Sequence, residues 1–320
     1  MQLQRFVVRV IAVCAMVLGA GVASGQNFPN KPIRIVTSEA GGGNDVQARL
    51  IAQGLTGALG EQVIVENRPS GIIPGDIVSK AQPNGYTLLL YNNALWTGPL
   101  IQSTPYDAVK DFSPIVAVAK AANVLVVNPA LPIHSVAELI ALAKAKPGEL
   151  NYGSSGTGAS NHLAAELFRV MAGINIVRIN YKGAGPALTA LLAGEIQLMF
   201  PTAGAVAPHM RTGRVRVLAV TSAEPTALAP GVPTVAAAGL PGYESISIYG
   251  IFAPAGTPRA LIDKLNREIV RLLNRADIKE KFFNAGMETM GGSPEQLAAT
   301  VKSEIARVGR VIKQAGIRSE

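Results

Sequence analysis

The chain has 320 residues, of which 48% are hydrophobic and 16% are charged, and its formal net charge is +8. This length and apolar content allow two buried cores, which favours a protein of two lobes. The basic residues are scattered and aromatic residues make up only 5%, so the pattern does not fit a nucleic-acid-binding protein.

Residues 1–25 have the pattern of a signal peptide that is removed after secretion. Arg5 and Arg9 form a basic start, residues 10–21 form an apolar run too short to span a membrane comfortably, and small residues suited to signal peptidase follow. Removal lowers the net charge by two, to +6, and takes away Cys14, the single cysteine of the sequence. We therefore predict a secreted protein without disulfides, thiolate catalysis or cysteine-bound metal.

Beyond the signal, strand-like and helix-like patterns alternate. Short apolar stretches predict strands at residues 32–37, 63–65, 86–91, 123–128, 150–153, 176–181, 196–200, 215–221 and 245–252. Helical spacing or capping patterns predict helices at residues 45–59, 135–145, 162–172 and 186–193, and two more that open at Thr257 and Ser293. The alternation is typical of an α/β fold with mixed, mainly parallel sheets covered by helices.

The pattern restarts after Pro129, which favours two lobes over one large sheet. We predict residues 26–128 as the first part of lobe 1 and residues 129–248 as lobe 2. Residues 249–320 would then return to lobe 1 and supply the C-terminal helices. The crossing strands are expected near residues 124–128 and 248–253.

Two glycine-rich turns, each between a predicted strand and a predicted helix, are the candidate binding elements. The first glycine turn (residues 38–45) contains Ser38, Glu39, Gly41, Gly42, Gly43, Asn44 and Asp45, and the second glycine turn (residues 154–160) contains Ser154, Ser155, Thr157, Gly158 and Ser160. Glycines let the backbone approach a ligand, and the start of the following helix offers N–H groups and partial positive charge to an anion. The alternative is a tight connection in which Asn44, Asp45 or Ser160 only caps the helix.

The presence of such a turn in each half strengthens the binding interpretation. Ligands of open α/β sheets bind at the carboxyl ends of strands, where both turns are expected. Two lobes that face each other would place the two helix starts on opposite walls of one cleft. Trp96, the single tryptophan, would either line this cleft or pack in the core.

Sequence motifs of common enzymes are absent from the chain. Neither turn contains G-x-G-x-x-G, and no phosphate-binding loop or G-x-S-x-G elbow occurs. The three histidines, His134, His162 and His209, are far apart in the sequence, and no metal-ligand spacing is present. We predict no catalytic residue, no metal and no cofactor. The alternative is a secreted serine hydrolase that uses Ser154 or Ser155 with His162.

Segments spread over the whole mature chain resemble the solute receptors of tripartite tricarboxylate transporters, known as the TctC or Bug family. They include KPIRIV at residues 31–36, GGGND at 41–45, VENRP at 65–69, PNGYTL at 83–88, LNYGS at 150–154, LAVTS at 218–222 and APAGTP at 253–258. The order of these segments is the one expected for the family.

The resemblance implies a two-lobed Venus-flytrap fold in the periplasm. It also implies a non-enzymatic receptor that delivers a small carboxylate ligand, an organic acid or an amino acid, to the subunits of a membrane permease. The two glycine turns would hold the ligand carboxylate, partly through ordered water, and the loop after Phe200, with Thr202, would contribute. A receptor that presents its ligand to a sensor kinase would have the same fold, so this alternative stays open.

The chain departs from the family pattern in two places. The family commonly has a Pro-Phe pair before the glycines, where this chain has Glu39 and its neighbours. An aspartate often follows Met-Phe in the family, where this chain has Pro201 and Thr202. We expect a different set of ligands, with Glu39 either recognising a ligand amine or hydroxyl or facing solvent.

Overall fold

The structure, a computed structural model, describes residues 28–317 except residues 39, 70, 156, 157 and 182. The predicted signal peptide and Cys14 therefore lie outside the described residues, as do Glu39 and Thr157 of the two glycine turns. Within the described part, none of the helices combines the length and the apolar character that a membrane crossing requires.

The first sheet contains six strands. Their bounds are β1 Ile33–Thr37, β2 Val63–Asn67, β3 Thr87–Asn92, β4 Phe112–Ala122, β10 Ile246–Pro254 and β11 Glu288–Gly291. They lie in the order β11-β4-β10-β3-β1-β2, with β1 parallel to β2 and β3, and with antiparallel pairs at β10 and β11. β1 and β3 are nearly continuous apolar runs because helices cover both faces of the sheet.

The second sheet contains five strands. Their bounds are β5 Val124–Val127, β6 Asn151–Ser154, β7 Val177–Asn180, β8 Leu198–Met199 and β9 Arg216–Val220, in the order β7-β6-β8-β5-β9. β6 is parallel to β7 and β8, whereas β5 is antiparallel to β8 and β9. Among the described residues, antiparallel pairs are at least as numerous as parallel ones. The expectation of mainly parallel sheets therefore holds only for β1–β3 and β6–β8, because β5 and β10 run against their neighbours.

Helices cover the faces of both sheets. Their bounds are α1 Gly43–Leu59, α2 Ile73–Ser79, α3 Ala94–Thr97, α4 Val136–Ala145, α5 Ser160–Ala172, α6 Ala184–Ala193, α7 Ala203–Arg211, α8 Arg259–Leu273, α9 Ala276–Asn284 and α10 Pro294–Ala315. Ser293 caps α10 with the predicted capping box. The predicted cap at Thr257 is wrong, because its hydroxyl donates to the Pro254 carbonyl at 2.7 Å.

The chain passes between the sheets in two extended segments. Asn123 joins β4 to β5, and its N–H donates to Thr221 Oγ1 at 2.8 Å. The return segment reaches β10 through Ser245, whose N–H donates to the Thr221 carbonyl at 2.8 Å. The two segments are therefore fastened to each other at Thr221. The domain limits given above stay predictions.

The last helix belongs to the cores of both sheets. Leu297 and Val301, near its start, pack with β3 and β10 residues of the first sheet. Val308 and Ile312, near its end, pack against Leu163 of α5, which covers the second sheet. α10 is thus a third connection between the two halves of the protein.

Candidate functional site

The first glycine turn leads directly from β1 into α1. Gly41 has φ +85°, a conformation that residues with a side chain rarely adopt. Gly42 is the N-cap residue of α1, so no side chain caps this helix. The first intrahelical bond runs from the Val46 N–H to the Gly42 carbonyl. Residues 43–45 therefore have no intrahelical acceptor for their N–H groups.

Asp45 holds the first glycine turn together. Its carboxylate accepts the Gly41 N–H at 2.9 Å and the Asn67 amide at 2.8 Å, and Arg49 Nε lies 3.0 Å from it. Although burial opposes the charge, the hydrogen bonds from Arg49, Gly41 and Asn67 lower the pKa of Asp45 below its ordinary value. Asp45 is thus an ionised carboxylate whose bonds organise the turn.

Other polar side chains of the first glycine turn also point inward. The Asn44 amide donates to Ser38 Oγ at 3.0 Å, and both side chains are buried. A Cβ placed on Gly43 would lie 3.0 Å from Tyr249 Oη, so this position has little room for a larger residue. The side chains of Ser38, Asn44 and Asp45 already make hydrogen bonds that hold the turn together. The backbone N–H groups at the start of α1 are therefore the groups best placed to bind a ligand.

The second glycine turn leads from β6 into α5. Gly158 has φ +78°, and Ala159 is the N-cap residue of α5, so no side chain caps this helix either. The Ser155 N–H and hydroxyl donate to Asn161 Oδ1 at 3.2 and 3.1 Å. The predicted cap residue, Ser160, is instead the first residue of the helix.

Buried polar groups support the second glycine turn from within. Ser154 Oγ accepts a hydrogen bond from Arg178 Nε at 2.8 Å. The Gly158 N–H donates to His162 Nδ1 at 3.0 Å. Burial, together with the positive charge of Arg178, lowers the pKa of His162 to about 4, so the imidazole is neutral near pH 7.

These contacts do not form a hydrolase site among the described residues. Ser155 Oγ bonds to Asn161, Ser154 Oγ bonds to Arg178, and His162 Nδ1 already accepts a backbone N–H. A serine nucleophile needs a base within hydrogen-bonding distance of its hydroxyl. The hydrolase alternative therefore lacks its catalytic pair.

A third helix start lies beside the second glycine turn. Thr202 is the N-cap residue of α7 and makes no side-chain cap bond. α7 follows β8, which pairs in parallel with β6, so α5 and α7 begin at the same edge of the second sheet. Asn123 supports this segment by donating to the Phe200 carbonyl at 2.7 Å.

The carboxyl edge of the first sheet and the start of α5 meet. Asn93, which follows β3, and Ser160 line one cavity of about 20 Å³, close to the space for one water molecule. A Cβ on Gly158 would lie 2.9 Å from Ile101 Cδ1, a residue of the first half of the chain. The second glycine turn is therefore in contact with the half that carries the first.

The structure decides between the two alternatives for Trp96 and adds supporting residues that the sequence interpretation did not include. Trp96 is fully buried, with its ring 6.1 Å from that of Phe252, so it packs in the core. Asn67, Asn161 and Arg178, which support the turns, were not among the predicted residues. Direct ligand contact by any residue of the two turns, or by Thr202, stays a prediction.

A family model described as the tripartite tricarboxylate transporter family receptor matches residues 47–317. The chain belongs to this family. BugT of Bordetella pertussis is 36% identical over 320 residues, which cover 97% of this chain and 98% of BugT. A protein from the tcbD-tcbE intergenic region of Pseudomonas sp. strain P51 is 36% identical over 312 residues, covering 95% of this chain and 93% of that protein.

Solved structures support the same family assignment. Rpa4515 of R. palustris with adipate is 35% identical, with a TM-score of 0.80, over 91% of this chain and 99% of that one. MatC from Rhodopseudomonas palustris with bound malate is 27% identical, with a TM-score of 0.76, over 89% and 100%. The periplasmic binding protein BugD is 30% identical, with a TM-score of 0.77, over 92% and 100%. The two-lobed α/β fold is thus confirmed, and this TctC-family protein is a solute-binding receptor, not an enzyme.

Proposed function

We propose that this receptor is secreted to the periplasm by a signal peptide at residues 1–25, and that it captures a small carboxylate between the two glycine turns. It then delivers this ligand to the membrane subunits of a tripartite tricarboxylate-type permease. The ligand is held mainly by backbone N–H groups at the starts of α1 and α5, with Thr202 at the start of α7.

One observation carries the proposal. α1 begins after a strand of the first sheet, α5 begins after a strand of the second sheet, and neither helix has a side-chain cap. The nearby polar side chains bond within their own turn or to an adjacent strand. Helix N–H groups without a cap attract an anion through their partial positive charge. The small cavity lined by Asn93 and Ser160 places the start of α5 against the end of β3, the strand that pairs with β1 in the first sheet.

The ligand class is a dicarboxylate of about four to six carbons. Two similar receptors were solved with adipate and with malate, and each of these molecules has two carboxylates. In addition, the groups proposed to face the ligand are backbone N–H groups, which donate hydrogen bonds. Such donors favour an ionised carboxylate, which only accepts hydrogen bonds.

Isothermal titration calorimetry of the mature chain with adipate and malate tests the proposal, with adipamide as an uncharged control of equal length. We expect at least one dicarboxylate to bind and adipamide not to bind. At a concentration 100 times its Kd, the ligand should stabilise the fold by about 2.7 kcal/mol. If no carboxylate binds or raises the melting temperature, capture of a carboxylate is wrong.

A second experiment addresses delivery. Radiolabelled uptake of the ligand into proteoliposomes should require both the receptor and the permease subunits. Uptake that proceeds equally well without the receptor would contradict delivery while leaving ligand capture intact.

A further inference from the structure

The two glycine turns share one spacing, S-x-x-G-x-x-N, which is read from Ser38 in the first and from Ser155 in the second. Each serine is the first residue after its strand, and each glycine, Gly41 or Gly158, has a positive φ. In both turns the helix begins two residues after this glycine. The shared asparagine is therefore the second helical residue in each case.

The hydrogen bonds of the two turns also correspond. The Asn44 amide donates to Ser38 Oγ at 3.0 Å, and Ser155 Oγ donates to Asn161 Oδ1 at 3.1 Å, so the same two positions are paired with donor and acceptor reversed. The residue after each asparagine then accepts the glycine N–H. Asp45 accepts it from Gly41 at 2.9 Å, and His162 accepts it from Gly158 at 3.0 Å. Asp45 and His162 thus hold the same position in two copies of one turn.

The two copies differ in charge. The accepting group of the first glycine turn is a carboxylate, and Arg49 balances its charge within one helical turn. The accepting group of the second glycine turn is the Nδ1 atom of an imidazole, which cannot carry a proton while it accepts an N–H. The charged groups around this imidazole are Arg178 from β7, and Glu166 and Arg169 from its own helix.

We propose that His162 is the positioning residue of the second glycine turn, and that it keeps negative charge out of this turn, where one carboxylate of the ligand binds. The proposal rests on the proposed function. A carboxylate at residue 162 would position the Gly158 N–H equally well. However, its charge would repel a ligand carboxylate at the same helix start.

The substitutions His162→Asn and His162→Asp form a matched pair. Both side chains place an acceptor oxygen near the position of Nδ1, and they differ only in charge. With adipate as the probe at pH 7.5, we expect His162→Asn to bind within about threefold of wild type. His162→Asp should bind adipate at least tenfold more weakly, because its carboxylate would repel the ligand carboxylate at the start of α5. A tenfold loss of affinity corresponds to about 1.4 kcal/mol. Equal binding by the two variants, with melting temperatures that also agree, would overturn the charge argument.

Solution NMR tests the positioning role without a ligand. Long-range ¹⁵N spectra of His162 should show the neutral ring with its proton on Nε2, and titration with a midpoint near pH 4 rather than near 6.5. The Gly158 amide signal should move with this titration, because a protonated Nδ1 no longer accepts its N–H. A Gly158 amide that is unaffected by the titration and by His162→Asn would overturn the positioning role.

The two experiments separate this proposal from the proposed function. If wild type binds neither adipate nor malate, carboxylate capture and the charge argument fall together, and the NMR titration decides whether His162 positions the turn. If wild type binds malate but not adipate, the pair of His162 variants is compared with malate as the probe. The pH dependence has a definite sign, because the pKa of His162 is lower in the folded state than in the unfolded state. Its stabilising contribution is complete above about pH 6.5 and is lost as the pH falls toward 4, and His162→Asn should lack this loss.

Discussion

Two helix starts outside the glycine turns, those of α4 and α10, differ from the starts of α1 and α5. Ser135 and Ser293 cap α4 and α10 by accepting the N–H groups of Glu138 and Gln296. Gly42 and Ala159 stand at the same position before α1 and α5 and provide no acceptor. A cap stabilises a helix by about 1 kcal/mol. The starts of α1 and α5 lack this stabilisation, and their N–H groups are left available for a ligand.

Adding a side-chain cap at a glycine turn should have the largest effect on ligand affinity. We expect Ala159→Asp to weaken adipate binding at least about 100-fold, because a carboxylate at the N-cap both occupies the helix N–H groups and repels the ligand. The same change should raise the free energy of unfolding by about 0.5–1 kcal/mol. Calorimetric titration and urea denaturation measure the two effects, and Ala159→Asn is the uncharged control. Unchanged binding by Ala159→Asp would mean that the start of α5 does not face the ligand.

Gly41→Ala tests the backbone of the first glycine turn. Its Cβ would meet no atom within 4 Å, so the cost comes from the positive φ alone and should be about 1–2 kcal/mol of stability, with weaker binding. Gly57→Ala is the matched control, because Gly57 lies inside α1, has equally open space, and has no positive φ. This control should be neutral or stabilising. Equal stability changes in the two variants, measured by urea denaturation, would argue against a strained first turn.

Removing the cap of α10 should lower stability without changing ligand affinity. Ser293→Ala takes away the capping box of α10 and should lower the free energy of unfolding by about 1 kcal/mol, while adipate affinity stays unchanged. Ser303→Ala, an exposed position within the same helix, controls for the loss of a hydroxyl. Weaker binding in Ser293→Ala would contradict this expectation, because it would show that the cap of α10 affects the glycine turns.

The smallest effect is expected at Glu39, which precedes the glycines of the first turn in sequence. Loss of one hydrogen bond or charge contact should change the ratio of affinities for malate, adipate and glutamate about threefold in Glu39→Gln. Glu61→Gln removes the same charge outside the turn and serves as the control. Affinity ratios that match wild type would mean that Glu39 does not recognise the ligand.

Much of the fold could be predicted from local patterns, and the exceptions have physical causes. β1, β3 and β5 are short, mainly apolar stretches, so their residues indicate buried strands directly. β4 was missed because four of its eleven residues are alanine and because Pro114 near its start is unusual in a strand. α7 was missed because it is short and contains Pro208.

The candidate site was predictable only in part for a different reason. Glycines between a strand and a helix mark both turns in the sequence. The groups that support those turns, Asn67 from β2 and Arg178 from β7, come from neighbouring strands and are fixed only when the sheets form. The correspondence of Asp45 and His162 is visible as equal spacing, but their shared role depends on hydrogen bonds to Gly41 and Gly158.

The last helix limits how the two halves of the receptor can move. Two strands joined at Thr221 form a narrow strap that alone would permit both bending and twisting. α10 adds a rigid rod whose start is packed with the first sheet and whose end is packed against Leu163. Because both ends are packed, any motion of one half relative to the other must displace the contacts at one end of this helix. A fluorescent reporter attached near Lys313 would therefore report such a displacement as a change in its distance from α5.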